Sequence, residues 1–269
     1  MTDFNPRVHL EAVREIAHAA GRRILDVYER DFEVEQKDDR SPLTEADRVA
    51  HEIITQQLQR LTPEIPVLSE ESAKASYEQR AGWKRFWLVD PLDGTKEFIN
   101  RNGEFTVNIA LIDGQRPVLG VVYVPVPALT YFACAGQGAS KQKGECAIEA
   151  IHARRYAGGK PMIVASRSHA GPETEAFLKN IGAHDVVSMG SALKLCLVAQ
   201  GTADVYPRLG PTMEWDTAAA QCVVEAAGGR VTDLNRRPLV YNKTSLLNPQ
   251  FMVSGAGDHD WYQYLPARE

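Results

Sequence analysis

The segment that most constrains this chain is an apolar run that leads into two aspartates. Residues 86–89 are apolar and predict a buried strand. Six residues follow directly: Asp90, Pro91, Leu92, Asp93, Gly94 and Thr95. Pro91 predicts a tight turn across which both carboxylates and the Leu92 carbonyl can converge on one hard cation. Gly94 and Thr95 then predict a helix start, whose first N–H groups can hold an anion. From these residues alone, an ordinary capped strand-to-helix turn remains the alternative.

Two more acidic clusters stand at the ends of predicted elements. Glu70 and Glu71 follow the short apolar stretch 65–68, which predicts a strand that ends in carboxylates. Glu214 and Asp216 precede an alanine-rich run that predicts a helix. Taken separately, each cluster is accounted for by a solvated charge pair or a helix cap. Together with the aspartate turn, they match a pattern that runs through the whole chain.

That pattern resembles the inositol monophosphatase-like family of magnesium-dependent, lithium-sensitive phosphatases, and the resemblance covers nearly the entire chain. The residues that carry it are Thr44-Glu45-Ala46-Asp47, Ser69-Glu70-Glu71, Asp90-Pro91-Leu92-Asp93-Gly94-Thr95, Trp215-Asp216-Thr217-Ala218-Ala219 and Gly228-Gly229. Lys96-Glu97-Phe98 is similar to the 3'(2'),5'-bisphosphate nucleotidase branch, the CysQ type, where inositol phosphatases more usually place Asn-Phe. Three further segments support that branch: Ser166-Arg167-Ser168-His169, Gly190-Ser191-Ala192-Leu193-Lys194 and Tyr206-Pro207-Arg208.

The element pattern predicts a mixed α/β (α+β) protein with two halves. Helical spacing predicts helices over residues 6–29 and from Ser41 to Pro63, and β-rich runs over 105–133 predict an antiparallel meander. From about residue 158, strands and helices alternate. We therefore expect residues 1–157 to form an α+β half with the metal-binding loops and residues 158–269 to form an α/β half with the substrate-recognition residues. The resemblance implies a five-layer α/β/α/β/α sandwich of the sugar-phosphatase type, with the site between the halves.

The resemblance also implies a metal set. Glu70, Asp90 and the Leu92 carbonyl would hold one Mg²⁺ ion, and Asp90, Asp93 and Asp216 a second; a third ion near Asp47 is left open. Such hard ions need oxygen donors of this kind. Two ions can bind the phosphoryl oxygens, lower the pKa of a water and stabilise the leaving oxygen.

Asp47 and Thr95 are expected to activate the water, and Glu70 is the third residue to which we assign a catalytic role. A threonine hydroxyl can take a proton only if another group accepts its own, and a nearby carboxylate can do so. The local alternative is helix capping, because Thr44-x-x-Asp47 has the spacing of a capping box and Thr95 could cap the next helix.

The resemblance implies a substrate-binding set of ten residues: Glu70, Asp93, Gly94, Thr95, His169, Ser191, Lys194, Arg208, Glu214 and Asp216. Ser191 and Lys194 lie one helical turn apart and can present a hydroxyl and an ammonium from one face. Each has a local alternative: His169 as a loop residue, Ser191 as a helix cap, and Arg208 and Glu214 as surface charges.

The composition limits the kinds of ligand and partner that the protein is expected to bind. A net charge of −5 and the absence of a basic stripe argue against a nucleic-acid polymer, whereas bound divalent ions would let an acidic protein hold a small phosphorylated nucleotide. Neither a leader-like apolar region nor a run of about 20 apolar residues occurs, so we expect a cytoplasmic protein without an integral membrane segment. By resemblance, peripheral association with the cytoplasmic face of the inner membrane and a homodimer are left open.

The resemblance predicts a Mg²⁺-dependent phosphatase that hydrolyses the 3'-phosphate of adenosine 3',5'-bisphosphate to AMP and phosphate. The resemblance implies activity on the sulfated analogue, a role in recycling a by-product of sulfur assimilation, and inhibition by Li⁺. The alternatives are an inositol monophosphatase or fructose-1,6-bisphosphatase on the same scaffold and, less favoured, a non-catalytic phosphonucleotide sensor. No Gly-x-Ser-x-Gly, Walker or His-Glu-x-x-His motif occurs, which argues against serine hydrolases, P-loop NTPases and zinc proteases of that type.

Overall fold

The computed structural model describes residues 5–36, 42–72, 75–166 and 171–267. The helices in these ranges are α1 (Leu10–Tyr28), α2 (Glu45–Leu61), α3 (Tyr77–Arg80), α4 (Thr95–Ile99), α5 (Pro172–Ile181), α6 (Leu193–Ala199) and α7 (Glu214–Ala226). The strands are β1 (Val34–Gln36), β2 (Pro42–Thr44), β3 (Val67–Ser69), β4 (Arg85–Asp93), β5 (Thr106–Asp113), β6 (Arg116–Val124), β7 (Leu129–Cys134), β8 (Ala139–Lys143), β9 (Glu149–Ile151), β10 (Met162–Ser166), β11 (Asp185–Met189), β12 (Val205–Arg208), β13 (Arg230–Asp233) and β14 (Phe251–Ser254).

A seven-stranded sheet runs in the order β3-β4-β5-β6-β7-β8-β9. Strands β4 to β9 pair antiparallel, as the meander prediction requires, and β3 lies parallel to β4. Helices α1 and α2 cover one face of this sheet with apolar residues at helical spacing, such as Val13, Ala17 and Ile24 of α1. Because these side chains repeat every three or four positions, one stripe of each helix is buried while the opposite stripe meets solvent.

A five-stranded sheet follows, in the order β11-β10-β12-β14-β13. Strand β10 is parallel to β11 and β12, whereas β14 runs antiparallel to β12 and β13. Helices α6 and α7 lie between the two sheets, and their buried residues join both sheets in one core. Helix α5 and the short 3₁₀ helix Trp261–Tyr264 cover the outer face. The layers are therefore helix, sheet, helix, sheet, helix, which confirms the expected fold class.

The predicted boundary between residues 157 and 158 lies in the connection from β9 to β10, where the chain passes from one sheet to the other. Helix α7, which comes from the second half, packs against β4, β5, β6 and β7 of the first. The halves thus share a core, and the division at residue 157 stays a prediction.

Two local predictions need correction. The second helix begins at Glu45 instead of Ser41, because Pro42–Thr44 pairs with Val34–Gln36 and Thr44 caps the helix. The Asp90–Asp93 segment is a bulge within β4 and not a separate turn: Asp90 lies opposite Asn108 and Asp93 opposite Thr106. Pro91 has no N–H group to donate to the neighbouring strand, so β4 carries one extra residue there. The bulge changes the direction of the side chains that follow it.

No helix in the described part of the chain is both long and apolar enough to cross a bilayer.

Candidate active site

Three acidic side chains from distant parts of the sequence meet at the edge of the seven-stranded sheet. Glu70 stands in the short 3₁₀ helix after β3, Asp90 near the end of β4, and Asp216 in the first turn of α7. One carboxylate oxygen from each lies within 4.8 Å of the others. Because β3 and β4 are parallel neighbours, their carboxyl ends lie side by side, and α7 packs against β4.

Asp93 lies beside this cluster and connects the two halves of the protein. Its Oδ2 accepts a 2.7 Å hydrogen bond from the Ala192 amide, a 3.2 Å bond from Asn108 Nδ2 and a 3.5 Å bond from the Thr106 hydroxyl. Asp93 lines the same cavity as Glu70 and Asp216. The bulge in β4 brings Asp90 and Asp93 to the same site. Asp93 is not one of the three acids whose oxygens lie within 4.8 Å of one another.

Asp47 and Thr95 are in contact, and Asp47 has two functions. Its Oδ2 accepts 2.7 Å hydrogen bonds from the Thr44 amide and hydroxyl, which is the capping interaction. Its Oδ1 lies 3.4 Å from the Thr95 hydroxyl, which is also 3.5 Å from the Leu92 carbonyl oxygen. Each oxygen of the buried carboxylate therefore has a separate role, so capping and contact with Thr95 do not exclude each other.

The acidic side chains repel one another. Burial, followed by the charge of Asp93, raises the pKa of Asp216 from 3.8 to about 8. Burial also raises the pKa of Asp93, partly offset by the Lys194 ammonium. Conversely, burial lowers the pKa of Lys194 to about 8, against the attraction of Asp93. Like charges this close are costly without a cation between them.

The residues fit a divalent metal. The three donors are carboxylate oxygens, and Mg²⁺ prefers such hard oxygen ligands. The Leu92 carbonyl oxygen lies 3.5 Å from the hydroxyl of Thr95, a residue that lines the same cavity as Glu70 and Asp216. Burial and then the charge of Asp93 raise the pKa of Asp216, and a bound cation would offset both effects by stabilising the ionised carboxylate. Among the described residues, this cluster offers a site for such an ion.

A cavity of about 270 Å³ opens next to the cluster, and cationic and hydroxyl side chains line it with the acids. Ser191 has a left-handed backbone (φ 44°), which is uncommon for a residue with a side chain. Its buried hydroxyl and the Arg208 Nε have no hydrogen-bond partner among the described residues. Arg208 is held by its Nη2, which donates to the Pro211 carbonyl at 2.7 Å. Polar atoms that are buried without partners indicate a place for a polar ligand.

The fold therefore brings most of the predicted site residues together at this cavity. The cavity lining includes eight of the residues assigned to substrate binding: Glu70, Asp93, Gly94, Thr95, Ser191, Lys194, Arg208 and Asp216. His169 lies outside the described residues. Glu214 does not reach the cavity: it is fully buried, and its oxygens accept hydrogen bonds from the Asn242 and Lys243 amides and from the Lys243 ammonium. In this position its side chain holds the 242–243 segment on α7 and has no surface for a substrate.

Sequence reasoning assigned no role to Asn108, Glu104 or Glu97. Asn108 orients Asp93 from a buried position in β5, and the signal for it is a single amide within an apolar run. The Glu104 carboxylate accepts a 2.8 Å hydrogen bond from the Gly190 amide. Glu97 lines the cavity although it is 9% exposed. Nothing local marks Glu104, because the residue that it contacts lies far along the chain.

Comparisons with known proteins agree with this geometry. The model of the inositol monophosphatase family matches residues 6–261. The 3'(2'),5'-bisphosphate nucleotidase CysQ of Escherichia coli (strain K12) is 50% identical over 248 residues, which is 91% of this chain and 99% of that protein. The CysQ protein of Aggregatibacter actinomycetemcomitans is 40% identical over 94% of both chains.

Among solved structures, CysQ from Bacteroides thetaiotaomicron superimposes with a TM-score of 0.83 at 45% identity, covering 94% of this chain and 99% of that one. An inositol monophosphatase from Anabaena superimposes with a TM-score of 0.78 at 25% identity, covering 98% of both. The family match spans both sheets and every element that carries the acidic cluster. The chain therefore belongs to the inositol monophosphatase family.

Proposed function

We propose that this protein is a Mg²⁺-dependent 3'(2'),5'-bisphosphate nucleotidase that converts adenosine 3',5'-bisphosphate to AMP and phosphate. The observation that carries the proposal is the 50% identity to relatives named as this enzyme, over 91% of the chain. The cavity supports it chemically, because carboxylates suited to metal lie next to cations suited to a second phosphate.

The proposed metal ligands are those that the family resemblance implies. Glu70, Asp90 and the Leu92 carbonyl would hold one Mg²⁺, and Asp90, Asp93 and Asp216 a second; a third near Asp47 is left open. Bound Mg²⁺ would neutralise phosphoryl charge, make a water acidic and stabilise the leaving oxygen. Since Asp93 Oδ2 is already engaged by Ala192 and Asn108, its Oδ1 is the oxygen that remains for a metal.

Thr95 and Asp47 would act on the attacking water. The Thr95 hydroxyl would take a proton from that water as it passes its own hydrogen to Asp47 Oδ1, which lies 3.4 Å away. This distance is long, as is common before substrate binds, and we expect it to shorten in the complex. The capping bonds to Asp47 Oδ2 hold the carboxylate in place, so Oδ1 can accept without a change of rotamer. Glu70 would help to orient the water.

Binding of the substrate would use both halves. The amides of Gly94 and Thr95 begin α4 and would face the scissile phosphate. Ser191, Lys194 and Arg208 would bind the second phosphate, together with His169. A phosphate beside Lys194 would oppose the burial that lowers its pKa to about 8 and would keep the ammonium charged at neutral pH.

A paired-substrate assay tests the proposal. Initial rates on adenosine 3',5'-bisphosphate and on inositol 1-phosphate, each with Mg²⁺ and with EDTA, should show Mg²⁺-dependent release that favours the nucleotide. A clear preference for inositol 1-phosphate or for fructose 1,6-bisphosphate would instead assign the protein to one of those alternatives.

The sensor alternative makes a different prediction. A sensor would bind the nucleotide tightly in Mg²⁺ without releasing phosphate. An enzyme should release phosphate, and the release should disappear in EDTA and in Asp93→Asn. We further propose inhibition by Li⁺, activity on the sulfated analogue and a role in sulfur metabolism. The homodimer, the cytoplasmic location and the peripheral membrane association stay predictions.

A further inference from the structure

Glu97 is a carboxylate that the proposed reaction leaves without a role. It is the third residue of α4, is 9% exposed and lines the cavity beside the acidic cluster. A Cβ atom placed on Gly94 would lie 3.3 Å from Glu97 Oε2, so this oxygen stands next to the loop that would face the scissile phosphate. A Cβ on Gly190 would lie only 2.6 Å from Glu97 Cγ, so the glycine leaves room for this side chain.

No hydrogen bond to the Glu97 carboxylate is formed among the described residues, and its oxygens do not belong to the fully buried polar atoms without a partner, so they are open to the cavity. Lys194 is near enough to be attracted by its charge, but the two do not form an ion pair. Water in the cavity can therefore satisfy the carboxylate before the substrate enters. A ligand that displaces this water must supply a donor of its own, because a buried acceptor left unpaired costs the desolvation of that group.

We propose that Glu97 is a specificity-determining residue that accepts a hydrogen bond from the ribose hydroxyl next to the phosphorylated carbon. In a 3'-phosphate this donor is the 2'-hydroxyl, and in a 2'-phosphate it is the 3'-hydroxyl. This inference rests on the proposed function and adds the part of the nucleotide that Glu97 recognises.

The position of Glu97 selects this donor over the other groups of the substrate. A carboxylate repels phosphate, so the second phosphate belongs with Lys194 and Arg208. Glu97 Oε2 stands beside Gly94. If the amides of Gly94 and Thr95 hold the scissile phosphate as proposed, the sugar carbon that carries this phosphate and its neighbour lie near Glu97. The vicinal hydroxyl is carried by that neighbour, whereas the adenine amino group is a full sugar ring away. A nucleotide phosphorylated at both the 2' and 3' positions would place an anion against Glu97 and should be a poor substrate.

The test is a double-mutant cycle between Glu97 and the hydroxyl. Values of kcat/KM are measured for wild type, Glu97→Gln and Glu97→Ala on adenosine 3',5'-bisphosphate and on its 2'-deoxy analogue. A hydrogen bond to a charged group predicts that wild type loses at least about tenfold on the deoxy analogue. Glu97→Ala should lose a similar factor on the ribonucleotide and almost nothing further on the deoxy analogue. Glu97→Gln, which keeps one acceptor, should be intermediate.

Two controls separate the outcomes. Glu175→Ala changes an exposed glutamate on α5 and should leave the ribo-to-deoxy ratio at the wild-type value. Inosine 3',5'-bisphosphate removes the base amino group, and its rate relative to the adenosine substrate should be unchanged by Glu97→Ala. The melting temperature of each variant shows that it is folded.

Three results would overturn the inference. An unchanged ribo-to-deoxy ratio in folded Glu97→Ala would show that the hydroxyl is not its ligand. A change in the adenosine-to-inosine ratio would show that the donor is the base. A wild-type protein with no activity on the nucleotide would overturn the proposed function as well, whereas the first two results leave that function intact.

Discussion

Replacing Gly120 with alanine should destabilise the protein and disturb its acidic cluster together. Gly120 lies in β6 at the point where α7 crosses the sheet. A Cβ atom there would lie 2.2 Å from the backbone oxygen of Ala219 and 2.9 Å from the Cβ of Cys222, both in α7. The backbone of Gly120 has a conformation that alanine adopts freely, so the effect measures this contact and not backbone strain.

The size of the effect follows from what must move. The new methyl group would be roughly 1 Å inside ordinary contact with a helix backbone, which has no rotamer to change. Overpacking of this kind costs up to about 3 kcal/mol. For a chain of this size, that loss lowers the melting temperature by roughly 6–12 °C. Helix α7 also carries Asp216, so its displacement would separate Asp216 from Glu70 and weaken the stabilisation by Mg²⁺.

Thermal unfolding with and without Mg²⁺ measures both effects. Gly82→Ala is the matched control, because a Cβ on Gly82 would meet no atom within 4 Å. This variant should stay within about 0.5 kcal/mol of wild type. If Gly120→Ala melts at the wild-type temperature and responds normally to Mg²⁺, then α7 does not press on β6 as we describe, and the reasoning fails.

Other perturbations test the remaining parts of the site. Asp47→Asn keeps an acceptor for the helix cap but removes the base that receives the Thr95 proton, so kcat should fall about 10²–10⁴-fold with little change in KM; an unchanged kcat would remove Asp47 from the mechanism. In EDTA, the melting temperature should fall as pH rises from about 4 to about 8, because the folded state holds a proton on Asp216 that the unfolded state has released. Saturating Mg²⁺ should abolish that fall, and an equal pH dependence in Asp216→Asn in EDTA would contradict the assignment of that proton to Asp216. Glu104→Ala removes the acceptor of the Gly190 amide and should raise KM more than it lowers kcat, whereas Glu104→Gln should recover most of the loss; equal kinetics in both variants and wild type would show that this contact does not position the cavity wall.

Much of the site could be assigned from local sequence because its residues stand at element ends. Apolar runs followed by acids mark the ends of β3 and β4, and an acid before an alanine-rich run marks the start of α7. These signals need only the periodicity of strands and helices and the preferences of helix caps. The family resemblance then supplied the roles, and the family itself was confirmed by the match over residues 6–261.

The turn predicted at Asp90 shows that one local signal is compatible with two structures. Pro91 indicated correctly that the regular ladder ends there, but a turn and a bulge share that signal. Pairing with β5 decides between them, because Asn108 and Thr106 lie opposite the two aspartates. The strand partner is a tertiary fact that the segment itself does not contain.

The sequence by itself determined the element types and the acids that end them, because these depend on short-range pattern. It also determined the family, because the motifs that mark it can be read along the whole chain without the fold. Only the tertiary structure decided which of the acids meet, that Asp93 is held by Ala192, that Glu214 is buried on Lys243, and that Glu97 faces the cavity. The physical reason is that these contacts join residues far apart in the chain, and their distances are set by how the two sheets pack on α6 and α7. Local preference carries no information about that packing.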